Sequence, residues 1–116
     1  MIKWNDKEYL CPVEVAINVI SGKWKSLILW HLHEGDKRYK ELERIVPGVS
    51  QKMLTQQLKE IERDGLLIRT VYPEVPPRVE YALTPLGHSA FSILKIMHDW
   101  AIDELGCEHE CSRSSD

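Results

Sequence analysis

The sequence lacks any long uncharged apolar run, and this absence limits where the protein can act. No stretch of about 18 such residues occurs, so no transmembrane helix is expected. Residues 1–10 contain no apolar segment of the kind that a secretory signal carries. We therefore expect a cytoplasmic protein that has no membrane partner.

Cysteine is scarce, and its number excludes one class of protein. The three cysteines are Cys11, Cys107 and Cys111. An odd number without a secretion signal argues against a framework of structural disulfides. Roles in redox chemistry or metal binding remain open for these residues.

Recognisable catalytic constellations are also missing. We find no Ser/His/Asp set, no paired carboxylates and no glycine-rich phosphate loop that rises above chance. The chain has 116 residues, 43% of them hydrophobic, which predicts one domain with one core rather than a core plus a deep catalytic cleft. We expect no enzyme activity and no cofactor.

The charge is low for a protein that binds nucleic acid, but it is unevenly distributed. The formal net charge is −3. Between residues 37 and 63, seven basic residues stand against four acidic ones, whereas residues 99–116 hold six acidic residues and one arginine. A basic middle segment and an acidic end suit a nucleic-acid face that is held away from the C-terminus.

Hydrophobic periodicity predicts four helices, a hairpin and a final helix. Pro12 suits the first turn of a helix, and Ser50 and Thr84 are good N-cap residues for two others. Between residues 66 and 84 the apolar spacing changes to that of strands. The predicted helices lie at 12–20, from 23 to about 34, at 39–46, at 50–63 and from 85 to about 105, and the predicted strands at 37–39, 67–72 and 78–83.

The last predicted helix carries an apolar stripe that is long for a domain of this size. A helix of about 21 residues spans roughly 30 Å. We expect part of the stripe to find its partner outside the subunit. The stripe consists of Leu86, Ala90, Ile93, Leu94, Met97, Trp100, Ala101 and Leu105.

The helix that starts at Ser50 has an outer face of short polar and basic side chains. A glutamine can pair with adenine, a lysine can reach guanine or a phosphate, and a threonine can meet a thymine methyl group. A merely solvated helix would show the same face, but the short helix and tight turn before it and the hairpin after it favour a helix-turn-helix with a wing. The predicted base-reading and phosphate-binding residues of this helix are Ser50, Gln51, Lys52, Thr55, Gln56 and Lys59.

The predicted fold class is α+β, mostly α. We expect a winged helix-turn-helix domain with a two-stranded wing and a long C-terminal dimerisation helix over residues 1–106, followed by an acidic, flexible tail over 107–116. On the wing, Arg78 is the first candidate for a DNA contact and Arg69 the second. Each remaining candidate for a phosphate contact could equally be a surface charge; these are Lys23, Lys25, Lys37 and Arg38.

The sequence also resembles the HxlR-type winged-helix regulators, a MarR-like group of bacterial transcription factors. The resemblance covers nearly the whole chain up to Leu105 and is most specific at 20–24 (ISGKW) and 47–58 (PGVSQKMLTQQL). It implies a homodimer joined through the terminal helices, with one recognition helix per subunit in a major groove of a short inverted repeat near a promoter. The matching segments are 11–12, 20–24, 38–42, 45–58, 64–66 and 77–87.

The cysteines leave several interpretations open. Cys11 precedes Pro12 at a predicted helix start, where the helix N-terminus favours the reactive thiolate, but a small buried side chain is the alternative. In the resembled family a cysteine at this position is common, and some members sense oxidants or electrophiles through it. Cys107 and Cys111 could lie in the flexible tail, could form redox partners of Cys11 in the other subunit, or could bind a metal with His109.

Two functions therefore remain in competition. The first is a DNA-binding transcriptional regulator whose effector is an oxidant or a small molecule. The second is a protein-interaction module that has lost DNA binding, which the net charge of −3 favours slightly. The intact polar face between Gln51 and Gln56 favours the first.

Overall fold

A computed structural model describes residues 1–108, which form five helices and five strands. Residues 109–116, which include most of the predicted tail, lie outside the described part of the chain. Within it, no helix is both long enough and apolar enough to cross a membrane. The elements in chain order are β1 (Ile2–Trp4), β2 (Lys7–Tyr9), α1 (Pro12–Ile20), α2 (Lys23–Leu32), β3 (Lys37–Arg38), α3 (Tyr39–Ile45), α4 (Gln51–Arg63), β4 (Leu67–Tyr72), β5 (Arg78–Leu83) and α5 (Pro85–Leu105).

The predicted two-stranded wing is present, and the short strand predicted at 37–39, which is observed at Lys37–Arg38, joins its sheet as a third strand. Strands β4 and β5 pair antiparallel, with Leu67 opposite Leu83 and Tyr72 opposite Arg78. Strand β3 adds to the other edge of β5, so the sheet order is β3-β5-β4. Helices α3 and α4 with this sheet form a winged helix-turn-helix, which confirms the predicted fold class.

The N-terminal hairpin was not predicted. Strands β1 and β2 pair antiparallel around a two-residue loop, Asn5-Asp6, in which both residues have left-handed φ angles of 51° and 63°. Asn and Asp tolerate this conformation better than other residues with a side chain, so they suit the tight turn of a hairpin. The Asn5 side chain then donates a hydrogen bond to Asp64 just beyond α4, at 3.3 Å.

The core lies between α2, α3 and α4 and is closed by the wing and α5. The inner face of α4 contributes Leu54, Leu58 and Ile61, which are at most 2% exposed. Their burial holds α4 against α2, since each such side chain contributes roughly 1.5–3 kcal/mol. Other nearly fully buried members of the core are Ile28, Leu29, Leu32, Leu42, Val46, Leu66 and Leu67.

Capping residues begin α4 and α5 where the sequence predicts. The Ser50 hydroxyl accepts a hydrogen bond from the amide of Met53 at 3.1 Å. The Thr84 hydroxyl accepts from the amide of Gly87 at 3.1 Å and donates to the carbonyl of Gly65 at 2.6 Å. Thr84 therefore joins the start of α5 to the turn that follows α4.

Most of the apolar stripe on α5 faces solvent in the single subunit. Only Ala90 and Leu94 of the stripe are buried. The side chains that stay 46–62% exposed are Leu86, Ile93, Met97, Trp100 and Leu105.

Gly87 allows α5 to approach the sheet closely, and its replacement tests this contact. A Cβ atom at Gly87 would overlap the carbonyl oxygen of Leu66 and come within 2.9 Å of a Leu83 methyl carbon. We expect Gly87→Ala to lower the free energy of unfolding by about 1–3 kcal/mol, although alanine favours helices. Urea denaturation measures the loss. Ser92→Ala, at an exposed position of the same helix, is the control and should cost nothing; an equal stability of both variants would contradict the close contact.

Candidate nucleic-acid interface

The outer face of α4 forms a shallow, open surface. The predicted residues Ser50, Gln51, Lys52, Thr55, Gln56 and Lys59 are all exposed. All of these except Ser50 line this surface, together with Tyr39, Glu60 and Arg63. The α4 surface, as we call it, thus combines amide, hydroxyl and ammonium groups. Ser50 lies at its N-terminal end, where its hydroxyl already caps the helix.

Tyr39, the first residue of α3, contacts the first turns of α4 through its hydroxyl group. Its hydroxyl lies 3.0 Å from the carbonyl oxygen of Gln51, to which it donates, and 3.1 Å from the Thr55 hydroxyl, from which it can accept. These two contacts fix the Thr55 side chain on the α4 surface. The sequence places Tyr39 on an apolar helical face, which predicts a core residue and gives no sign of its partners on α4.

Lys25 is not a surface cation, which corrects its assignment as a phosphate contact. It is only 7% exposed, and its ammonium nitrogen lies 2.8 Å from Oε1 of Glu60 and 3.4 Å from the carbonyl oxygen of Asn18. The hydrogen bond from Lys25 lowers the pKa of Glu60, against a smaller opposing effect of burial. The second oxygen of Glu60, Oε2, accepts a hydrogen bond from Nε2 of Gln56 at 3.4 Å. Buried Lys25 is thereby connected to a predicted base-reading residue.

The two arginines of the wing differ in how far their charge is already paired. Arg78 forms ion pairs with Glu74 at 3.1 Å and with Glu80 at 3.2 Å, and its guanidinium lies 4.0 Å from the centre of the Tyr72 ring. Arg69 is exposed on β4, and within residues 1–108 it forms no ion pair. A DNA contact by either arginine remains a prediction, but the geometry favours Arg69 over Arg78.

The other predicted phosphate contacts lie at helix and strand ends. Lys23 begins α2 and is exposed, with its ammonium 4.7 Å from the centre of the Trp24 ring. Lys37 is half-buried, and its ammonium donates to the carbonyl of Gly35 at 3.3 Å. Arg38 is exposed directly before α3, and its amide donates to Glu41 at 2.8 Å. Their contacts with phosphate stay predictions.

The thiols of Cys11 and Cys107 are exposed and free. Cys11 is the N-cap residue of α1, as predicted, and its exposure contradicts the alternative of a buried structural cysteine in the single subunit. Cys107 follows the C-terminal cap of α5 at Gly106. Cys111 and His109, which complete the predicted redox or metal alternatives, lie outside the described residues.

Comparison with known proteins assigns the chain to a family. Residues 19–109 match the family model described as HxlR-like helix-turn-helix. An HTH-type transcriptional regulator of Methanothermobacter thermautotrophicus is 55% identical over 95 residues, which cover 82% of this chain and 72% of that protein.

Solved structures agree with this assignment. The crystal structure of the HTH-type transcriptional regulator YtcD is similar with a TM-score of 0.79 and 47% identity, and the match covers 84% of this chain and all of that one. The redox regulator HypR in its oxidised form is similar with a TM-score of 0.75 and 47% identity, over 78% of this chain and 94% of that one. With its winged helix-turn-helix and exposed polar helix face, the chain belongs to the HxlR-like family and is a transcriptional regulator of the helix-turn-helix type.

Proposed function

We propose that this regulator acts in the cytoplasm as a homodimer that binds double-stranded DNA at an inverted repeat. The division of α4 into two faces carries the proposal. Leu54, Leu58 and Ile61 are buried, while the α4 surface presents Gln51 and Lys52 to solvent. A helix of this kind fits the major groove, where amides read base edges and ammonium groups reach phosphates.

The apolar side chains exposed on α1 and α5 support the homodimer. Val13 and Ile17 of α1 are 64% and 56% exposed, in addition to the exposed stripe of α5. Pro12, Ala16 and Ile93 line an apolar groove of about 390 Å³ between these two helices and β1. An exposed apolar groove with further exposed apolar side chains on the same two helices marks an interaction surface. Covering it with the same face of a second subunit would give the two-fold symmetry that an inverted repeat requires.

We also propose that Cys11 makes the regulator responsive to oxidants or electrophiles. Its exposed thiol stands at the N-terminus of α1, the helix whose apolar face we assign to the dimer. HypR, the similar structure named above, is described as a redox regulator. A disulfide between Cys11 and a C-terminal cysteine of the second subunit, Cys107 or Cys111, would release two protons and two electrons, which a peroxide accepts as it is reduced to water. This bond would change the spacing of the two α4 helices, which must lie about 34 Å apart to bind successive turns of DNA.

Substitutions on α4 separate base reading from phosphate binding. We expect Gln51→Ala to lower specific affinity by about 1–3 kcal/mol and to relax the preference at one base pair of each half-site. Lys52→Ala should weaken binding to all sequences and reduce the slope of log K against log salt by about one unit. Selection from a randomised duplex pool measures the first effect and salt titration the second. Lys7→Ala on β2 is the charge-matched control. A parent protein that enriches no sequence would favour the protein-interaction alternative.

A charge within the apolar face of α5 tests the dimer. Met97 is 53% exposed in the single subunit, so Met97→Glu should leave the fold intact. In a dimer it would bury an unpaired carboxylate, and we expect the dissociation constant to rise by about a hundredfold or more. Sedimentation equilibrium measures this change. Ser92→Glu, which adds the same charge outside the stripe, should leave the dimer unchanged, and a dimeric Met97→Glu protein would place the interface elsewhere.

Oxidation of variants that each lack one of the three cysteines tests the proposed sensor. In the parent protein, mild peroxide treatment should lower DNA affinity by about 5- to 150-fold, the usual range for coupling between two sites. Cys11→Ser should bind DNA equally well before and after treatment. A non-reducing gel of oxidised Cys107→Ser and Cys111→Ser identifies the second thiol, because the substitution that removes the partner of Cys11 abolishes the cross-linked dimer. A Cys11→Ser protein that responds as the parent does would exclude Cys11 as the sensor.

A further inference from the structure

We infer that Lys25 and Glu60 form a positioning pair that orients the Gln56 amide and thereby sets the base that Gln56 reads. The inference rests on the proposed function, since it requires that α4 reads DNA. It assigns a role in base specificity to two charged residues, of which Lys25 is too deeply buried to approach DNA.

The first step is the anchoring of Glu60 by Lys25. Lys25 belongs to α2, which packs against α4, and its ammonium nitrogen lies 2.8 Å from Oε1 of Glu60. It also donates to the carbonyl oxygen of Asn18 on α1 at 3.4 Å. Because Lys25 is buried, its charge needs both partners, and the pair holds the Glu60 carboxylate in one place.

The second step is the orientation of the Gln56 amide by Glu60. The hydrogen bond from Lys25 keeps the pKa of Glu60 below its ordinary value, so the carboxylate is ionised at neutral pH and can only accept hydrogen bonds. Its second oxygen, Oε2, lies 3.4 Å from Nε2 of Gln56. Because an ionised carboxylate repels the amide oxygen, it favours the orientation in which the NH₂ group faces Glu60. The amide carbonyl and the second N–H of Gln56 remain available to a ligand.

The third step connects this orientation to one base. The major-groove edge of adenine offers an N6 donor beside an N7 acceptor, and an amide with one free oxygen and one free N–H matches both. Without Glu60, the amide can rotate and present its two ends in either order, so it loses the fixed orientation that strengthens its preference for adenine over the other bases. The pair therefore favours adenine at the position that Gln56 reads.

The pair also keeps a carboxylate compatible with DNA. Glu60 lines the same surface as Gln56 and Lys59, where an uncompensated negative charge would repel phosphates. Lys25 compensates this charge from the protein side of α4, without placing a cation on the surface. The loss of Lys25 should thus weaken binding to all sequences, in addition to its effect on base preference.

Selection of binding sites by variants at Glu60 tests the inference, because this side chain is 27% exposed. Glu60→Ala leaves the buried Lys25 ammonium with one partner fewer, so urea denaturation first verifies that the variant is folded at the temperature of the selection. The parent and Gln56→Ala are first selected on a randomised duplex pool, and the base pair that loses its preference identifies the Gln56 position. The expected preference there is for adenine by about 5- to 100-fold. Glu60→Ala should remove most of that preference and leave the other positions unchanged, and Gln56→Ala/Glu60→Ala should equal Gln56→Ala there.

Two further variants separate positioning from a general effect of charge or stability. Glu60→Gln keeps an acceptor for Lys25 but can meet the Gln56 amide in either orientation, so it should retain affinity and lose preference at that one position. Glu62→Gln removes the same charge at an exposed position of α4 and should change no preference. Lys25→Met should act as Glu60→Ala does and should in addition lower affinity for every sequence.

The outcomes distinguish this inference from the proposed function. If the parent enriches no sequence, both are overturned. If the parent enriches a sequence, DNA binding stands. The positioning role is then overturned by any of three results: Gln56→Ala loses the preference at no position, Glu60→Ala weakens the preference at all positions evenly, or the Glu60 variants behave as Glu62→Gln does.

Discussion

The packing of α4 against α2 is the contact on which the rest of the structure depends. Leu54, Leu58 and Ile61 are nearly or fully buried against a core that includes Ile28 and Leu29. Protein interiors are packed as densely as organic crystals, so a helix held this way neither rolls nor slides freely. The direction in which the α4 surface faces is therefore set by apolar side chains on the opposite face of the helix, and base reading requires that fixed direction.

Helix α2 lies between the two functional surfaces and packs against both α4 and α5. On one side, Lys25 of α2 pairs with Glu60 of α4. On the other, the Trp30 ring contacts Phe91 of α5 at a tilt of 44°, and His33, directly after α2, stacks on Phe91. A displacement of α5 can therefore reach α4 through α2, in addition to the direct connection that Thr84 makes between the start of α5 and the turn after α4. This arrangement explains how a change at the terminal helices could alter binding without any contact between Cys11 and DNA.

The sequence predicts the elements whose start and end are decided by neighbouring residues. Ser50 and Thr84 cap their own helices, and the apolar spacing shows which face of α4 turns inward. The addition of β3 to β5 could not be predicted in this way, because it pairs Lys37 with Tyr81, far away in the chain. The N-terminal hairpin was a different failure. Asn5-Asp6 is a local turn signal, but the two strands it joins have three residues each, too few to show an alternating pattern.

The charges of the site show the limit of sequence reasoning most clearly. Lys25 and Arg78 each look like free cations in the sequence, yet Glu60 pairs with the first, and Glu74 and Glu80 pair with the second. The spacing does carry one sign for Lys25, because Ile28, Leu29 and Leu32 follow it at i+3, i+4 and i+7 and so place it on the inner face of α2. It does not show which acid pairs with either cation. The excess of basic residues between 37 and 63 is therefore not the charge that DNA would meet, since a lysine from outside that segment neutralises Glu60, and Arg63 is paired with Asp64, which also lies outside it. Phosphate binding depends on which cations remain unpaired in the folded protein. Their pairing depends on distances between residues that are far apart in the sequence.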